Sequence, residues 1–142
     1  MTGVQTCALP ISDEPLPPVE LPLPGRVRFD GLEVEAWVEH SPPTAWPDGR
    51  YCVVCDADVV GERAVIRAAE AGERFRPLGR SGSKLVRDAL AEAGVPASRR
   101  DRAPVVAAGD VIWVVGYRID DRTRVTSGTR RFLWLSAETV DL

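Results

Sequence analysis

Arg26-Val27-Arg28-Phe29-Asp30-Gly31-Leu32-Glu33-Val34-Glu35-Ala36-Trp37-Val38-Glu39 is the stretch that decides the fold class. Both arms alternate with period two, the spacing of strands that bury one face. Between them Asp30-Gly31 is a residue pair that tolerates the positive φ angles of a two-residue hairpin turn. In the second arm Leu32, Val34, Ala36 and Val38 share one face, and Glu33, Glu35 and Glu39 share the other. That second face is acidic and half-exposed, a poor surface for nucleic acid.

Working toward the C-terminus, Ser41-Pro42-Pro43-Thr44-Ala45-Trp46-Pro47-Asp48-Gly49 has the composition of a loop. Strands are expected at about 51–56 and 64–68, then again at about 104–108, 111–116 and 130–135. Turns fall at Gly109-Asp110 and Ser127-Gly128. Ser83 to Ala93 is the one convincing helix, with Leu85, Val86, Ala89, Leu90 and Ala93 forming an apolar stripe. Ser81 or Ser83 is placed to cap its start, and Gly94 followed by Val95-Pro96 ends it. Ser98 to Arg102 is expected to form a short helical turn. The predicted architecture is α+β: mostly antiparallel, sandwich-like strands with one amphipathic helix.

The chain has 142 residues, 44% hydrophobic and 27% charged, enough for one domain with a modest core. Twelve prolines and twelve glycines exclude a helical bundle. No apolar run approaches the roughly 20 residues of a membrane span, so no membrane partner is expected.

Toward the N-terminus, residues 13–25 hold five prolines and are expected to be an extended linker. Met1 to Ser12 resembles a translated sequencing-adapter oligonucleotide, as found in reading frames at the ends of assembled contigs. It has no basic n-region, and Pro10 breaks its apolar run, unlike a signal peptide. Residues 1–12 are therefore set aside as an artefact packed against nothing, with the natural N-terminus missing. The expected layout is a domain over 26–137 and a tail over 138–142. In the absence of an export signal the expected compartment is the reducing cytoplasm.

With Cys7 set aside, Cys52 and Cys55 remain. They lie in a β-prone run where residues three apart face opposite ways, and no second ligand pair accompanies them. They are expected to be core residues, with no metal site. His40 sits in a loop and no nucleophile elbow is present, so no catalytic residue is assigned. Gly79-Arg80-Ser81-Gly82-Ser83-Lys84 lacks the spacing of a phosphate-binding loop. It still feeds a helix N-terminus, where free N–H groups and the helix dipole favour a phosphate; simple capping is the competing explanation. Asp56/Asp58 and Asp120/Asp121 are taken as turn residues.

Charge is distributed unevenly. Residues 13–73 carry 5 basic and 13 acidic side chains, whereas residues 74–102 carry 8 basic and 3 acidic. A basic segment in an acidic chain points to a polyanionic partner.

Gly72-Glu73-Arg74-Phe75-Arg76-Pro77-Leu78-Gly79, Ser81-Gly82-Ser83-Lys84, Val95-Pro96 with Arg100-Asp101 and Pro104, and Ile112 to Asp120 with Arg122 and Val125-Thr126 occur in that order. This ordered set resembles the C-terminal domain of tRNA(Ile)-lysidine synthetase over roughly residues 50–136. The resemblance implies a small β-rich domain, related to one in the phenylalanyl-tRNA synthetase β subunit, that helps hold tRNA. The parent would be an ATP-dependent ligase that adenylates a wobble cytidine and joins lysine to it. ATP and Mg would belong to an N-terminal catalytic domain with a Ser-Gly-Gly-x-Asp-Ser loop. No such loop occurs in this chain, for which no cofactor is expected. Many members of the family it resembles carry lysine, a phenylalanine pair and lysine where this chain has Leu85, Ala89-Leu90 and Gly94, which implies a less basic, smaller-cored helix here.

The expected partners are tRNA and the catalytic domain of the same protein. Candidate RNA-binding residues are Arg74, Arg76, Arg80, Ser83, Lys84, Arg99, Arg100, Arg118 and Arg122. Arg118 and Arg122 are equally placed to pair with Asp120 and Asp121. The competing function is a scaffold domain whose basic segment docks on protein without touching RNA.

Overall fold

In the computed structural model, residues 17–139 are described apart from 81 and 101. Expectations about residues 1–12 lie outside the described residues, as does Ser81 as a helix cap.

The hairpin forms as its spacing dictates. Strand β2 (Gly25–Phe29) pairs antiparallel with β3 (Leu32–Glu39) around Asp30 and Gly31, whose φ values of 50° and 79° close the turn. Register sets Arg26 opposite Glu35 and Arg28 opposite Glu33. Arg26 bridges to both Glu33 and Glu35, and Arg28 bridges to Glu33, so the acidic face is partly neutralised across the strands.

Two sheets pack face to face. The four-stranded sheet orders β2, β3, β11 (Phe132–Thr139) and β4 (Cys52–Asp56). The five-stranded sheet orders β1 (Val19–Pro22), β5 (Arg63–Ala68), β8 (Pro104–Ala108), β9 (Asp110–Val114) and β10 (Arg118–Ile119). Leu21, Val34, Ile66, Trp113, Leu133 and Leu135 are completely or almost completely buried between them. The expected antiparallel sandwich is the fold. Among the described residues, no helix is long and apolar enough to cross a membrane.

Three boundaries differ from the sequence-based expectation. Val19–Pro22 lies inside the proline-rich stretch read as a linker, yet it pairs with β5 from Val19–Ile66 to Pro22–Arg63. An edge strand tolerates proline because one side of its backbone need not donate. At the other end β11 continues to Thr139, opposite Leu32, through the start of the expected tail. The expected helix is shortened: Lys84–Leu85 forms strand β7 against β6 (Arg74–Phe75), and α2 covers only Val86–Glu92.

Three short helical pieces join α2. Helix α1 (Ala57–Val60) is capped by Asp56, helix α3 (Ala97–Arg100) overlaps the turn expected at Ser98 to Arg102, and a 3-10 turn spans Asp121–Thr123.

The outer face of the five-stranded sheet carries a second core. Val86, Ala89 and Leu90 of α2 fall at i, i+3 and i+4 and pack with Phe75, Val105, Val111, Val114 and Tyr117. A register shift between Val106 and Ala107 sets Val106 opposite Trp113 and Ala107 opposite Val111. Ile112 is the extra residue, and it joins Trp113 in the inter-sheet core while Val111 and Val114 face α2. This bulge explains why the apolar run at 111–115 does not alternate.

Candidate nucleic-acid interface

The basic segment folds as a two-strand ribbon, a turn, α2 and α3. Within it the expected anion site at a helix start is not formed. The N–H of Val86 donates to the Glu73 carbonyl at 2.9 Å, and Leu85 precedes the helix without a side-chain cap. Ribbon pairing has taken Lys84 out of the first turn, and its ammonium bonds the Glu92 carboxylate. Arg80 reaches the same carboxylate at 3.4 Å. The Lys84 hydrogen bond outweighs the desolvation that pushes the other way and, with the nearby Lys84 and Arg80 charges, holds Glu92 below the usual carboxylate range. Ser83 accepts from Arg74 Nε at 3.0 Å instead of capping a helix. Among the described residues of this turn, Arg80, Ser83 and Lys84 are thus engaged by partners within the domain.

Arg100 donates to the Val95 carbonyl at 2.8 Å, which fastens α3 to the loop after α2. Arg76 and Arg99 are exposed, and no carboxylate among the described residues pairs with either guanidinium. They are the least committed of the nine candidates.

Arg122 is structural. Its Nε and Nη2 donate to the two oxygens of Asp120 at 2.9 and 3.0 Å, and Nη1 lies 3.5 Å from Asp110. Asp120 also accepts the backbone N–H groups of Arg122 and Arg76. Burial pushes its carboxyl up, but the Arg122 side chain and the two amides outweigh this and leave it below the usual range. Asp121 pairs with Arg124 at 3.1 Å. Arg118 pairs with neither aspartate: its Nη1 donates to the Leu78 carbonyl at 2.8 Å and its guanidinium lies 5.5 Å from the Tyr117 ring centre.

Arg118 borders a cleft of about 580 Å³. Trp46, Pro47, Leu78 and Val125 supply apolar wall, while Arg50 and Arg124 join Arg118 as cations. Trp46 is 65% exposed, a large apolar ring held at the surface by the loop. Asp48 anchors that loop: one oxygen accepts the N–H groups of Arg50, Tyr51 and Cys52 at 2.8–3.1 Å. Those backbone donors, Arg50 foremost, keep its carboxyl below the usual range. Sequence patterning missed Trp46, Arg50 and Arg124 here because each sits in irregular chain. A tryptophan between prolines in a polar loop was the available signal.

The other residues weighed for chemistry lie outside the lining of this cleft. Cys55 is buried against the Leu133 carbonyl, and burial pushes its thiol up to about 12. Cys52 is half-buried, both cysteines are free, and no His, Cys, Asp and Glu group suited to a metal occurs among the described residues. His40 is exposed just after β3. Asp56 caps α1 through the Asp58 N–H at 2.9 Å, and Asp58 pairs with Arg131.

Comparison with known proteins places this geometry. The family model for the TilS substrate C-terminal domain matches residues 64–134, from β5 through α2 to β11. The tRNA(Ile)-lysidine synthase of Caldanaerobacter subterraneus subsp. tengcongensis is 32% identical over 116 residues, covering 80% of this chain and 25% of that protein. The tRNA(Ile)-lysidine synthase of Symbiobacterium thermophilum is 36% identical over 113 residues, covering 76% and 23%. The chain thus spans about a quarter of the length of these relatives. A crystal structure of a TilS C-terminal domain superposes with a TM-score of 0.75 at 25% identity, covering 88% of this chain and 98% of that one. An N-terminal fragment of the phenylalanyl-tRNA synthetase β subunit from Pyrococcus horikoshii shares the fold, with a TM-score of 0.52 at 22% identity over 62% of this chain and 28% of that one. A family model seated on half of the chain, and a solved domain of the same shape, establish that this chain belongs to the TilS C-terminal domain family.

Proposed function

We propose that this domain positions tRNA for a cytoplasmic tRNA(Ile)-lysidine synthase whose ATP-dependent, Mg-assisted ligation takes place in a separate catalytic domain. Family membership is the observation that carries it, because the relatives matched along most of this chain bear that enzyme's name. The exposed guanidinium groups of Arg76 and Arg99 support it, as do the exposed Arg74 and the half-buried Arg118 on neighbouring segments. Their contacts would be to phosphates, which set affinity and register without reading bases.

Filter binding of the 142-residue chain to tRNA, with heparin as competitor and salt varied, tests the function. Micromolar or weaker binding is expected, with log affinity falling by about 0.7–0.9 per phosphate neutralised for each unit of log salt. Absence of tRNA binding at low salt would overturn it, leaving the basic segment as a docking surface for protein.

A further inference from the structure

We propose that the Trp46 cleft holds one unpaired nucleotide of RNA, with its base against the Trp46 ring and its phosphate against Arg50, Arg118 and Arg124. The proposal rests on the tRNA-positioning function above and adds a site to it.

The first observation is shape. A hollow of about 580 Å³ lies within the range of roughly 300–1,000 Å³ for sites that take small groups, and is too confined for a duplex. The second is the wall. Trp46 is 65% exposed and Leu78 36%, so both leave apolar surface in water along the lining of the hollow. Every base has a π-face that stacks on an aromatic ring, whatever its sequence. The third is charge. Three arginines line the hollow, Arg124 among them held by Asp121 at 3.1 Å; the one carboxylate in the lining, Asp48, already accepts three backbone N–H groups through one oxygen. An anion with a flat apolar part matches both walls together.

Arg118 is held in place for this role. The Leu78 carbonyl takes one of its five donors and the Tyr117 ring lies 5.5 Å away, while the remaining donors have no carboxylate partner among the described residues. Leu78 follows Arg76 by two residues, and the Leu78 N–H is fixed to the Ile119 carbonyl at 3.1 Å. The cleft therefore adjoins the turn that carries one of the uncommitted arginines. An RNA strand whose phosphates lie on that turn is within reach of delivering a neighbouring unpaired base to Trp46.

The test uses the 142-residue chain and two RNA hairpins, identical except that one carries a two-nucleotide single-stranded 3′ extension. The extended hairpin is expected to bind about ten-fold or more tightly and to quench tryptophan fluorescence. Trp46→Ala should abolish that preference and leave binding of the blunt hairpin intact, while Trp46→Phe should keep most of it. Arg76→Glu should weaken both hairpins together. Equal affinity for the two hairpins, or a Trp46→Ala loss shared equally by both, would overturn the cleft assignment while tRNA positioning stands. Binding of neither hairpin would overturn both.

Discussion

The Asp120 carboxylate accepts the backbone N–H of Arg76 at 3.0 Å, joining positions 44 residues apart. The Asp121 N–H returns a bond to the Arg76 carbonyl at 2.6 Å, and Pro77 bridges to Asp120. A buried carboxylate with an arginine beside it thus fixes the turn on which Arg76 and Leu78 stand. Structural and binding roles are divided between neighbouring arginines: Arg122 holds Asp120, and Arg76 uses only its backbone.

Replacing Asp120 therefore has a stability signature with a defined pH window. Its folded-state pKa is depressed, so its contribution is complete above the unfolded value of about 3.9 and is lost as pH falls through the folded value. Asp120→Asn is expected to cost about 2–4 kcal/mol at pH 7, since it unpairs Arg122 and leaves a buried amide short of an acceptor. Urea unfolding at pH 7 and pH 3 should show the difference between parent and variant shrinking at the lower pH. A constant difference would remove Asp120 from the acid-sensitive part of the stability.

Arg76→Glu and Arg99→Glu should weaken tRNA binding, and each phosphate released should flatten the salt dependence by roughly 0.7–0.9 log units. Both are exposed, so their stability change should stay within about 0.5 kcal/mol. Lys84→Glu should behave in the opposite way. It sets a second carboxylate against Glu92 and should lower the thermal midpoint by a few degrees, with little effect on the salt slope. Parallel melting and filter-binding series distinguish the two classes.

Leu21→Ala measures whether β1 belongs to the domain. Leu21 is 0% exposed between the sheets, and its truncation leaves a cavity worth about 2–5 kcal/mol in denaturant unfolding. A change under about 0.5 kcal/mol would return Val19–Pro22 to the status of a linker.

Cys55 should resist a thiol reagent at pH 8 until the protein is unfolded, because burial holds it as a thiol with its pKa pushed up to about 12. Cys55→Val should cost less than about 1.5 kcal/mol, and the purified chain should retain no zinc. Stoichiometric zinc by atomic absorption would contradict the assignment of Cys55 to the core and of Cys52 to its half-buried edge.

The alternation of 26–39 and the Asp30-Gly31 turn determined the hairpin because strand period and turn conformation are local properties. The Val86, Ala89 and Leu90 stripe fixed the buried face of α2 for the same reason, and the ordered run from Gly72 to Thr126 carried the family. Tertiary structure alone decided where α2 begins. Ser83 and Lys84 have acceptable local signals for a helix start, but pairing of Lys84 and Leu85 with Phe75 and Arg74 takes that backbone as strand. Proline in Val19–Pro22 reads as linker until a partner edge, β5, is supplied. Which arginines remain uncommitted was equally hidden: Arg76 and Arg122 look alike in sequence, and only the fold sets a buried carboxylate against one guanidinium and not the other. Charge counts follow from composition, whereas charge pairing depends on distances between residues far apart in the chain, and those exist only after the sheets have packed.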